Sequence, residues 1–139
     1  MTPSLAIFWP ILGQVLLTYA IYVLMSRRRM SAIKAGKARA SDFKVPSVEP
    51  EPSATAARAL VNQFELPVLF YAACLSLYVT GGAGTVAVVV AWAFVAARAV
   101  HAYVHVTSNT VMLRRRLFIA SLAVNCVQWL LLAVHIATA

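Results

Sequence analysis

The chain has 139 residues, 62% of them hydrophobic, with twelve Lys and Arg against four Asp and Glu and a formal net charge of +8. An apolar fraction so far above the globular norm of about 45–50% excludes an ordinary soluble domain. The placement of the charge excludes a nucleic-acid partner, because ten of the twelve cations sit in two loops between apolar runs, where a lipid bilayer's headgroups meet them.

Four apolar stretches follow one another: Leu5–Met25, Leu60–Val79, Thr85–Val106 and Leu117–Ala137. Each is near the ~20 residues that a spanning helix needs. They predict an all-α integral membrane protein, a left-handed up-down four-helix bundle forming a single membrane domain over residues 1–139. The expected helices are roughly 5–26, 55–80, 85–107 and 115–137, with a cytosolic loop at 27–54. Cations follow the first apolar run rather than precede it, so it reads as a retained span and not a cleaved signal. Phe8 and Trp9 at one end, and Tyr19 and Tyr22 at the other, fit aromatic belts. Gln14 is expected to make a hydrogen bond between helices.

The loop is basic through Lys44, and Pro46, Pro50 and Pro52 predict an extended second half. Ser53 or Thr55 is the expected cap of the second helix, with Glu49 and Glu51 near its positive end. Pro67 is expected to kink that helix. Gly81-Gly82-Ala83-Gly84 makes a tight turn, so the second and third helices form an antiparallel hairpin. Thr107-Ser108-Asn109-Thr110 ends the third helix, and Asn125 and Gln128 put a polar patch on the fourth. Cys74 and Cys126 read as small buried hydrophobes, and His135 as an interface residue. Seven cations lie between the first two spans and Arg114–Arg116 between the last two, which puts both loops in the cytosol and both termini outside it. No eukaryotic targeting signal is visible, and a bacterial inner membrane is the expected location.

Two polar stripes interrupt the apolar pattern. Arg58, Asn62 and Glu65 stand at i, i+4 and i+7 of the second helix, and Arg98, His101 and His105 at i, i+3 and i+7 of the third. A carboxylate in lipid costs several kcal/mol unless it is paired. At ~1.5 Å per residue, Glu65 lies about 15 Å in and Arg98 about 10–14 Å in, so the two are expected to form an ion pair. Asn62 then falls near His101, and Arg58 near His105. A pair alone would lock a hairpin; the whole group is what a small anionic or zwitterionic ligand needs. His101 and His105 have metal-ligand spacing, but Arg98 beside them disfavours a dication, and no metal is expected. Arg114–Arg116 is a topology signal that could also hold an anion or thiolate, since a close guanidinium lowers a thiol's pKa from about 8.5.

Arg58-x-x-x-Asn62-x-x-Glu65, then Arg98-x-x-His101, then an arginine before the fourth helix, together resemble the MAPEG family. These are membrane-associated proteins in eicosanoid and glutathione metabolism, including microsomal glutathione transferases and microsomal prostaglandin E synthase. The resemblance covers most of the chain. It implies a homotrimer with glutathione as cosubstrate, bound between neighbouring subunits near the cytosolic side. By motif position, Arg58, Asn62, Glu65 and His101 would contact glutathione, and Arg98 would support them. The arginine at the start of the fourth helix, best matched by Arg114 among its neighbours, would be the catalytic residue that stabilises the thiolate. Two positions depart from the family: His105 stands where a tyrosine is common, and Phe118 where an aromatic hydroxyl often follows. His105 would serve the same ligand as a weak thiolate donor. The implied function is a glutathione-dependent transferase or peroxidase acting on a small lipophilic electrophile. The alternatives are a non-catalytic lipid- or partner-binding protein on the same scaffold and, further off, a channel or transporter subunit.

Overall fold

The computed structural model describes residues 4–45 and 48–139, which are mostly helical, with no strand among them. Residues 1–3, 46 and 47 lie outside it, including Pro46 of the stretch expected to be extended. Four helical runs, Leu5–Lys34, Glu51–Val79, Thr85–Val106 and Val111–Ala137, are long and apolar enough to cross a bilayer.

Helix α1 spans Phe8–Lys34 and carries Arg27, Arg28 and Arg29 on helix rather than loop. Nothing between Met25 and Lys34 breaks a helix. Gly36, at φ 68°, ends it by supplying the left-handed position. The Gly36 N–H donates to Ile33 O at 3.0 Å and the Lys37 N–H to Ala32 O at 2.9 Å, which satisfies the last carbonyls.

Helix α2 runs from Glu51 to Val61. It starts earlier than Ser53 or Thr55 would set as caps, because Pro52, whose fixed φ suits a first turn, sits there. Ser53 Oγ instead donates to Glu49 Oε1 at 2.6 Å and Thr55 Oγ1 accepts from Arg28 Nη1 at 2.8 Å. Glu49 also takes a forked pair of bonds from Arg29, at 2.9 and 2.6 Å, so the loop folds back on α1. That pair holds the Glu49 carboxyl below its ordinary range, chiefly through the Arg29 hydrogen bonds.

A 3-10 turn at Asn62–Phe64 and a non-helical Glu65 (ψ −101°) separate α2 from α3, Leu66–Val79. Gly81, at φ 81°, turns the chain into α4, Thr85–Val106, and a short connection leads to α5, Val111–Ala137. The most extensive contacts are those of α4 with α5 and of α1 with α2, while α3 leans on α5 more than on α4.

The apolar core lies toward the uncharged end. Phe70 and Phe94 stack there, centroids 4.4 Å apart, over Cys74, Leu77, Ala87, Ala91 and Leu132. Polar side chains inside the bundle bond across helices: Gln14 Nε2 donates to Gln63 Oε1 at 2.9 Å, and Gln128 Nε2 to Cys74 Sγ at 2.9 Å. Cys126, in contrast with the expectation, is exposed, because it falls on the outward face of α5 next to buried Asn125. His135 Nε2 meets Thr80 O at 2.9 Å and ties α5 to the outer turn. Apolar side chains cover the outside, as a lipid-facing surface requires; Leu16 is 67% and Val79 81% exposed.

Candidate functional site

The site begins with Pro67. It has no N–H to give to Gln63 O, and in a continuous helix its ring would clash with that carbonyl one turn back. The helix therefore lets go just before it. In an unbroken helix the Asn62 carbonyl would receive the Leu66 N–H. Here the Leu66 N–H does not reach it, and Arg98 Nη2 donates to that carbonyl at 3.1 Å from α4.

This corrects the expected Arg98–Glu65 ion pair. Among the described residues the ion pair within 4.0 Å is Arg29–Glu49. At the break Glu65 is exposed, while Arg98 stays wholly buried and spends one donor on the Asn62 carbonyl. Its Nε and Nη1 have no protein partner.

On the other side of the break a cavity of about 450 Å³ opens at the basic end, well within the size range of small-molecule sites. From the second span it takes Arg58, Val61, Asn62 and Glu65, from α4 His101 and His105, and from α5 Val111, Arg114, Arg115 and Phe118. Six of the seven expected site residues thus line one space; Arg98 stands behind it. Asn62 is half-committed, since its side-chain nitrogen donates to Arg58 O at 3.0 Å and its oxygen is left for another donor. His101 and His105 are 2% and 3% exposed, with ring centroids 5.8 Å apart, and Phe118 lies 6.1 Å from His101. His101 Nδ1 and both nitrogens of His105 lack a protein partner. Arg114 and Arg115 face the cavity and Arg116 does not.

The lining therefore offers three guanidinium groups, two imidazoles, an amide and one carboxylate. Such a set can bind a zwitterion, with anionic groups on the arginines and a cationic group on Glu65, and leave a cation for a developing negative charge. Among the described residues no three His, Cys, Asp or Glu side chains gather as a metal would need.

Three neighbours escaped the reading of the sequence. Arg28, taken for a topology signal, donates to Val106 O at 2.6 Å as well as to Thr55 and so fixes the floor between α1, α2 and α4. Gln63 faces away from the cavity and holds the break to α1 through Gln14. Asn109 accepts from Arg114 Nη1 at 2.6 Å. Its left-handed backbone has a faint sequence signal, an asparagine in a polar four-residue connection.

Searches of curated proteins and of solved structures gave no match. A protein-family model, the MAPEG family, matches residues 6–134. With nearly the whole chain matched and four membrane-competent helices around the basic cavity, the chain belongs to the MAPEG family, the membrane-associated proteins in eicosanoid and glutathione metabolism.

Proposed function

We propose that this protein is a glutathione-dependent membrane transferase or peroxidase whose cosubstrate binds in the cavity between α2, α4 and α5. One observation carries the reading. The cavity sets Arg58, Arg114 and Arg115 against a single carboxylate, Glu65, and glutathione has two carboxylates, one ammonium and one thiol. In this reading Arg58 and Arg115 hold carboxylates, Glu65 takes the ammonium, and Asn62 and His101 orient the peptide. Arg98 keeps the broken helix in register behind them. Arg114 faces the sulfur, where a guanidinium favours thiolate over thiol. The thiolate then attacks a lipophilic electrophile that arrives from the bilayer, forming a C–S bond as the leaving group departs with its electron pair. The cavity is open on one side in the single subunit, and a homotrimer would close it with a neighbouring subunit. The basic ends of α1 and α5 face the cytosol in this arrangement, in a bacterial inner membrane with both termini outside.

A second reading, a lipid or partner binder without chemistry, is favoured by His105 and Phe118, which stand in the cavity where phenols would serve a sulfur anion. Thiol transfer to an activated halonitroarene, measured in detergent, tests both. The proposal expects slow, saturable turnover that falls sharply in Arg114→Ala. Glutathione binding without turnover selects the second reading.

A further inference from the structure

Asn109 is the one non-glycine residue with positive φ (47°) among the described residues. Asparagine enters the left-handed region at less cost than most side chains do. Its backbone N–H donates to Val104 O at 2.8 Å, which fastens the connection to the end of α4, one residue from His105. Its side-chain Oδ1 then accepts from Arg114 Nη1 at 2.6 Å. The Arg114 N–H is engaged with Thr110 O at 2.9 Å, so the arginine rises from the first turn of α5. A long, flexible side chain is thereby tied at both ends, to its own helix and, through Asn109, to α4.

We infer that Asn109 is a positioning residue, which holds the Arg114 guanidinium in the cavity while leaving its positive charge whole. The inference rests on the reading of the cavity as a glutathione site. An aspartate at 109 could make the same bond, but its charge would offset that of Arg114 and weaken its pull on a thiolate. A glycine would keep the turn and lose the acceptor. Of these three side chains, only the amide combines left-handed backbone, a fixed acceptor and no net charge.

The test uses the full chain in detergent with glutathione, comparing wild type, Asn109→Gly and Asn109→Asp. The readout is the pH midpoint at which bound glutathione becomes thiolate, followed by ultraviolet absorbance, with the pH profile of turnover beside it. Asn109→Asp should raise the midpoint by about one unit, as a close opposite charge does to a cation's neighbour. Asn109→Gly should raise it less and broaden it, with thermal stability and glutathione affinity near wild type. A purely structural asparagine would move stability and leave the midpoint in place. A wild-type midpoint that neither variant shifts overturns the positioning role alone. A wild type that binds no glutathione overturns the proposed function, and this inference falls with it. Should Asn109→Asp fail to fold, Asn109→Gly decides by the same midpoint.

Discussion

The replacement of a helical hydrogen bond by Arg98 makes a sharp forecast about two residues on different helices. Arg98→Leu removes the donor to the Asn62 carbonyl, a bond to a charged group worth about 1.5–3 kcal/mol. It also removes a buried cation, which has a desolvation term of the opposite sign. Pro67→Ala restores an N–H opposite Gln63 O and lets α2 and α3 join, so that Leu66 N–H can reach the Asn62 carbonyl. In the Pro67→Ala background the carbonyl no longer depends on Arg98, while the desolvation term is unchanged and cancels in the comparison. Arg98→Leu should then be milder after Pro67→Ala than before it by about 1–2 kcal/mol, within the usual coupling of contacting residues. The assay is equilibrium unfolding of the four proteins in mixed micelles, with helicity followed by circular dichroism. Additivity to within about 0.5 kcal/mol would refute the link between proline, broken helix and arginine.

Three further outcomes are expected. His105→Tyr puts a phenol donor into the cavity and should raise thiol-transfer turnover, whereas His105→Phe should lower it and leave glutathione binding intact; steady-state rates and affinities of the three proteins decide. Glu49 has a carboxyl pKa held down in the folded chain, so its pairing with Arg29 contributes fully above the ordinary value of about 4.3 and fades as pH falls through the lower folded value. Thermal unfolding of Glu49→Gln against wild type should differ at neutral pH and converge in acid. A Cβ at Gly82 would lie 2.7 Å from His135 Cδ2, so Gly82→Ala should displace the ring from Thr80 O and cost about 0.5–1.5 kcal/mol in the same unfolding assay.

Helical periodicity made the faces of the second and third spans legible. Spacings of three, four and seven residues decide which side chains share a side, and Arg58, Asn62, Glu65, His101 and His105 do line one cavity. The partner of Arg98 was not legible. Matching depths suggested Glu65, but Pro67 opens the helix where it frees a carbonyl, and a nearer neutral acceptor took the guanidinium. Proline misled about the start of α2 as well: Pro52 read as extended chain, yet proline in a first turn is compatible with helix, while Pro50, at φ −57° and ψ 144°, is extended as read. Arg28 lies beyond pattern reading, and Asn109 leaves only the faint signal of an asparagine in a polar connection. Arg28 acts through a bond to a residue distant in sequence and Asn109 through a backbone conformation, and neither leaves a period in the sequence.

Calorimetric titration of glutathione into the purified protein tests the central claim most directly, because it asks about the cavity without asking about turnover. Wild type should bind saturably, and Arg58→Ala and His101→Phe should each weaken binding at least tenfold, a loss of about 1.4 kcal/mol or more, without loss of helicity. Absence of saturable binding, or binding that both variants leave unchanged, would contradict the assignment of this cavity to glutathione.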